Sequence, residues 1–117
     1  MIHTFCHIEI PVTDFEKAKA FYPGLFGWKV ELIPEMNYAT FETGVPPGGG
    51  FQKVDKVERG GPVNYVLVED IEATLEKAKE LGAGEIIHEK TQVGDMGWFA
   101  IFSDPDGNRV GIWQEKK

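Results

Sequence analysis

Two side chains near the amino terminus have the types and spacing for acid–base or ligand chemistry. His7 and Glu9 sit two apart in "HIEIPV" (7–12), so an extended strand projects both from one face. An imidazole titrates near neutrality and can serve as general acid, general base or ligand contact, with a neighbouring carboxylate to orient it. The competing reading is a strand histidine hydrogen-bonded inside the fold, and residue type weighs the two equally. Tyr38, Trp98, Trp113 and Trp28 could wall an aromatic pocket for a flat or cationic ligand, through stacking and cation–π contact; for Trp28, core packing is the better reading. Arg109 could pair with Glu9, meet an anionic ligand or stand on the surface. Cys6 shares strand parity with Ile8 and reads as an inert core thiol, and His3 and His88 read as peripheral. Asp104 and Asp106 in "DPDGN" (104–108) invite a catalytic reading, but proline fixes φ, Asp and Asn cap, and Gly107 takes a positive φ, so the motif reads as a turn.

The elements that must position these residues come in two similar sets. In the first, residues 3–10 form a strand that Pro11 ends, and Thr13-Asp14 with Glu16 offers a helix N-cap. The helix runs to about Tyr22, with Phe15, Ala18 and Tyr22 on one face, and Pro23-Gly24 stops it. Strands follow at 28–33 and 37–42, then the loop 44–50 and a fourth strand near Phe51. In the second set, a strand at 63–68 leads to a helix from Asp70 to Leu81 carrying Ile71, Leu75 and Ala78 on one stripe. Strands at 85–89, 97–102 and 108–114 complete it. The charged stretch 53–62, ending Gly60-Gly61-Pro62, links the halves. The expectation is α+β: one domain over 1–117, built from two βαβββ repeats at about 1–54 and 62–117.

Alternation assigns strand faces. One parity holds Ile8, Ile10, Phe51, Tyr65, Leu67, Val110 and Ile112 and belongs under the helices. The other holds His7, Glu9, Gln52, Asn64, Val66, Arg109, Gly111 and Trp113 and faces either water or a cavity. Glycine inside a strand costs stability and often marks close approach of a ligand or another backbone, so Gly50 and Gly111 favour the cavity.

Composition narrows the partners. The 117 residues are 42% hydrophobic and 12% aromatic, with a net charge of −7, which indicates a folded globular chain. So acidic a chain is poorly suited to nucleic acid or anionic membranes and better suited to a neutral or cationic small molecule. The single cysteine excludes an internal disulfide, and no apolar run approaches a membrane span. A cytoplasmic location is expected.

The chain resembles the vicinal oxygen chelate superfamily of glyoxalase I, bleomycin-resistance proteins and extradiol dioxygenases. The resemblance rests on "HIEIPVTDFEKAKAFY" (7–22), "LFGW" (25–28), Asn64 to Asp70 and "DPDGNRVGIW" (104–113), and it covers essentially the whole chain. It implies paired βαβββ modules whose sheets curl into a cup with helices outside, and a homodimer. It also implies four metal-ligand positions, one on the first and one on the last strand of each module. These fall on His7, Gly50, Asn64 and Gly111, with Gln52 replacing Gly50 if the fourth-strand register shifts by two. Glycine has no side-chain donor and asparagine is a weak oxygen ligand, whereas a catalytic divalent metal needs about three good ligands. The expectation is no metal and no cofactor.

The leading reading is metal-independent binding of a small neutral or cationic molecule in the cup, by His7, Tyr38, Gly50, Gln52, Asn64, Trp98, Gly111 and Trp113. The alternative is a metal-independent enzyme of lyase or isomerase type, acting on a small carbonyl compound through His7 and Glu9. A metal-dependent lactoylglutathione lyase, or a structural module with a vestigial pocket, ranks lower.

Overall fold

Two aspartates start the two helices. Asp14, extended at φ −151°, accepts a hydrogen bond from the Glu16 N–H at 2.9 Å and begins α1 (Phe15–Phe26). Asp70, at φ −147°, accepts from the Ala73 N–H at 3.1 Å and begins α2 (Ile71–Glu80). Each satisfies an amide that the first helical turn leaves unpaired. These elements belong to a computed structural model that describes residues 1–117 and divides them into unit one, 1–57, and unit two, 58–117.

Unit one runs β1 (His7–Val12), α1, β2 (Lys29–Ile33), a 3₁₀ turn at Pro34–Met36, β3 (Tyr38–Glu42) and β4 (Gly48–Lys53). Unit two runs β5 (Tyr65–Leu67), α2, β6 (Ile86–Val93), β7 (Gly97–Ser103) and β8 (Arg109–Glu115). The strand orders are β1-β4-β3-β2 and β5-β8-β7-β6, so each half repeats one topology. First and last strands pair in parallel, and the other pairs are antiparallel. The expected α+β class is present, with two mixed sheets, edged by β1 and β2 in unit one and by β5 and β6 in unit two.

One face of each sheet carries the core. In unit one, Phe21 and Tyr22 of α1 are buried with Val12, Ala39, Phe41 and Phe51. Trp28 stacks between Tyr22 and Phe41, with ring centroids 5.2 and 4.7 Å apart, which gives it the packing role read from the sequence. In unit two, Ile71 and Ala78 of α2 are buried with Ala100, Phe102, Val110 and Ile112.

Several boundaries move from their expected places. β1 starts at His7 and continues through Pro11 to Val12. Proline is tolerated because β1 is an edge strand: the Val12 carbonyl bonds the Val54 N–H at 2.8 Å, so the ring nitrogen of Pro11, one residue earlier, faces the open edge. α1 passes Pro23 and ends one turn later, where Gly27 at φ 74° returns its N–H to the Pro23 carbonyl. Gly27 is thus the left-handed cap that Pro23-Gly24 was expected to supply. β6 extends past its expected end at 89 to Val93 and leaves only a tight turn before β7, while β4 begins at Gly48 inside the expected 44–50 loop. Cys6 precedes β1 and is exposed, so it is not a core thiol.

The "DPDGN" segment is the expected turn, and its first aspartate holds it together. Asp104 is 2% exposed, and its carboxylate accepts from the Asp106 N–H, the Asn108 N–H and the Asn108 side-chain amide at 2.9, 2.9 and 3.0 Å. Gly107 stands at φ 95°, as the turn requires. Replacing Asp104 by Ala strands three part-buried donors and is expected to cost about 3 kcal/mol of stability, read from the urea midpoint. A loss below about 0.5 kcal/mol would show that the carboxylate does not hold the turn.

Candidate functional site

The strand register places the candidate residues. In unit one, Glu9 pairs with Gly50, Gly50 with Thr40, and Thr40 with Glu31. Directly paired residues share a face, so this row crosses all four strands on the side away from α1. His7, Gly48, Gln52 and Tyr38 share that face. Gly50 and Gln52 therefore both belong to it, with Gln52 opposite Tyr38 and exposed.

Three side chains on this face form one hydrogen-bond chain. The Tyr38 hydroxyl donates to Glu9 Oε2 at 2.9 Å, and His7 Nε2 lies 2.7 Å from the same hydroxyl. A hydroxyl has one proton, and Glu9 receives it. Tyr38 must then accept from His7, which fixes the neutral imidazole as the Nε2–H tautomer with a lone pair on Nδ1. Burial, the hydrogen bond to Glu9 and that carboxylate's charge push the Tyr38 phenol from 10.0 up to about 12. The group is a carboxylate, a phenol and an imidazole in series, an arrangement that orients protons along one chain of hydrogen bonds.

Glycine makes the arrangement possible. A Cβ on Gly50 would overlap the Tyr38 hydroxyl and ring, so the phenol occupies the space into which a β4 side chain would project. Unit two repeats the device with a different tyrosine: a Cβ on Gly111 would lie 2.6 Å from Tyr65 Cδ2. The close approach read from these two glycines is thus made by protein side chains.

In unit two the register corrects the expected faces. Tyr65 and Leu67 pair with Gly111 and Trp113 and share their face, while Val66 pairs with Ile112 on the core side. Asn64 contributes its backbone carbonyl to the Gly111 N–H at 3.0 Å and is not the strand partner of Gly111. Trp98 pairs with Gln92 and Gln114, on the opposite face from Gly111 and Trp113, and lies under Lys90 Nζ at 5.2 Å. Arg109 donates to the Gly61 carbonyl and is a tether for the linker. His88 is exposed, as its peripheral reading has it, and its ring lies 4.6 Å from Phe99, which meets Tyr65 edge-on at 6.3 Å. Tyr65, Phe99 and His88, with Trp113 paired to Phe99, form an aromatic floor.

The repeat contained the signal for this correction. His7 lies seven residues before the N-cap Asp14, and the residue seven before the N-cap Asp70 is Val63. His7 thus corresponds to Val63, and Glu9 to Tyr65, one residue away from the Asn64 alignment. The four ligand positions of the resemblance do not fit a metal centre. The first-strand positions carry His7 and Val63, the last-strand glycines are covered by tyrosines, and no three His, Cys, Asp or Glu side chains converge.

The Tyr38 phenol makes this geometry measurable. Absorbance titration of tyrosinate should show a step near pH 12 that Tyr38→Phe removes. Glu9→Gln should bring the step down, because the amide carries no charge. Gly50→Ala should also lower it by pushing the ring off Glu9. Between pH 10 and about 12 the folded chain keeps a proton that the unfolded chain has lost, so Tyr38 makes stability fall across that window. A titration unchanged by Glu9→Gln would break the assigned chain of bonds.

Comparison with other proteins adds a family to this geometry. A family model for the bleomycin resistance protein-like N-terminal region matches residues 4–44. A glyoxylase-like domain-containing protein of Didymella fabae is 32% identical over 113 residues, covering 90% of this chain and 88% of that one. The anthracycline biosynthesis protein DnrV of Streptomyces peucetius is 26% identical over 120 residues, and the match spans 87% of this chain but 43% of that protein. Among solved structures, the fosfomycin resistance protein FosX of Listeria monocytogenes superposes with a TM-score of 0.82 at 21% identity, covering 99% of this chain and 94% of that one. A member of the glyoxalase/bleomycin resistance protein/dioxygenase superfamily from Sphaerobacter thermophilus gives 0.73 at 22% identity, covering 98% and 100%. The likeness to the solved structures is one of fold. The similarity to the Didymella protein makes this chain a member of the glyoxylase-like family.

Proposed function

We propose that this chain binds a small neutral or cationic organic molecule without a metal, on one of its open sheet faces: that of His7, Tyr38 and Glu9 in unit one, or that of Tyr65, Phe99 and Trp113 in unit two. The observation that carries the reading is the replacement of both last-strand side chains by glycine–tyrosine pairs, at Gly50 with Tyr38 and at Gly111 with Tyr65. A phenol and an aromatic floor bind organic surface and hydrogen-bonding groups well, and they ligate divalent metals poorly. The net charge of −7 favours the same ligand class. The 1–117 chain acts as one glyoxalase-like domain in the cytoplasm, and as a homodimer. Tyr65 and Leu67, 49% and 65% exposed, supply apolar surface for the partner or the ligand to cover.

A second reading is metal-independent enzymology at the same residues. It is favoured by the His7–Tyr38–Glu9 chain, which can pass a proton to or from a carbonyl substrate without an unbalanced charge. The relatives named for fosfomycin resistance and anthracycline biosynthesis are consistent with small organic molecules as ligands or substrates.

A thermal-shift screen of neutral and cationic aromatic compounds tests the binding reading. A ligand at a hundred times its dissociation constant should stabilise the protein by about 2.7 kcal/mol, a rise of several degrees. His7→Gln separates the two readings: binding retained with turnover lost identifies the enzyme, and binding retained with no turnover in either protein identifies the binder. No stabilising compound across the screen would contradict both.

A further inference from the structure

We infer that the unit-one sheet face recognises an organic ammonium group through the Glu9 carboxylate, an inference that rests on the small-molecule reading above. The argument is a count of donors and acceptors. The Tyr38 proton is committed to Glu9 Oε2, and the His7 Nε2 proton to Tyr38. What this cluster still offers a ligand is Glu9 Oε1 and His7 Nδ1, both acceptors. Neither residue makes an ion pair. A ligand satisfied by this cluster must therefore bring hydrogen-bond donors.

The charges across the sheet select the same ligand. The row through Glu9, Gly50, Thr40 and Glu31 holds two carboxylates and no cation. Lys29, the one lysine or arginine on this face, stands directly opposite Glu42 in the pairing of β2 with β3. An anionic ligand would meet repulsion, and a neutral acceptor would find only the Thr40 hydroxyl and the Gln52 amide. A protonated amine meets a carboxylate whose second oxygen is already fixed by Tyr38, so less side-chain freedom is lost on binding. Beside Glu9 and His7, β4 presents glycines at positions 50 and 48. The flank of the carboxylate is thus open except for the Tyr38 ring, and an aromatic neighbour favours a cation further.

Three probes of one shape test the inference: benzylamine, benzyl alcohol and benzoate, titrated by calorimetry into the full chain at neutral pH and low salt. Benzylamine should bind about tenfold more tightly than benzyl alcohol, and benzoate more weakly than either. Glu9→Gln keeps an oxygen acceptor for Tyr38 while removing the charge. It should bring benzylamine to the level of benzyl alcohol. Added salt should erode the benzylamine advantage alone. Equal binding of amine and alcohol, or an amine advantage that survives Glu9→Gln, overturns the ammonium site while small-molecule binding stands. Absence of binding by all three probes overturns the ammonium site, and small-molecule binding is then decided by the wider screen.

Discussion

A tyrosine laid against a strand glycine is the contact on which the unit-one site depends. Tyr38 can reach Glu9 and His7 because β4 carries no Cβ at position 50. The glycine costs some strand stability, and the ring offsets part of that loss by covering the exposed backbone. From that placement follow the proton on His7 Nε2, the raised phenol and the one-sided supply of acceptors. Unit two uses the same packing device at Gly111 with Tyr65, but its neighbours are Phe99, His88 and Trp113, so the outcome is an aromatic surface and not a proton chain.

The scaffold and the site make different demands on the sequence. Each sheet needs apolar residues at alternate positions on one face and a capped helix to cover them, and Asp14, Asp70, Phe51 and Ile112 meet those needs in both halves. The other face is free of that constraint, because the core under the helix lies on the first face. One topology, repeated twice, can therefore hold a polar hydrogen-bonded group in one copy and an aromatic floor in the other. Membership of the family fixes the scaffold and leaves the chemistry to residues on the open faces.

Much of this was legible in the sequence for local reasons. Helix starts were readable because an aspartate before an amphipathic run has one favourable use, and the "DPDGN" turn because its residues each suit a turn position. The His7 and Glu9 candidates came from residue type and parity and Tyr38 from its aromatic type alone, and the structure brings all three together. The faces of β5 were not readable from parity alone. Side-chain alternation has period two, so aligning Asn64 with His7, one residue out, inverts every assignment on the strand. That error placed Tyr65 in the core and Asn64 in the site. Trp98 was misplaced for a related reason: aromatic type does not say which face of a strand a residue occupies. The persistence of β1 through Pro11 was hidden because an edge strand excuses a proline that a central strand would not.

The central claim is that tyrosine side chains stand where metal ligands would otherwise project. Calorimetric titration of metal-stripped protein with nickel, zinc, manganese and iron(II) at neutral pH tests it most directly. The account predicts only weak binding, of the strength a single histidine provides, for all four ions. Stoichiometric binding at micromolar or tighter affinity, abolished by His7→Ala, would contradict it.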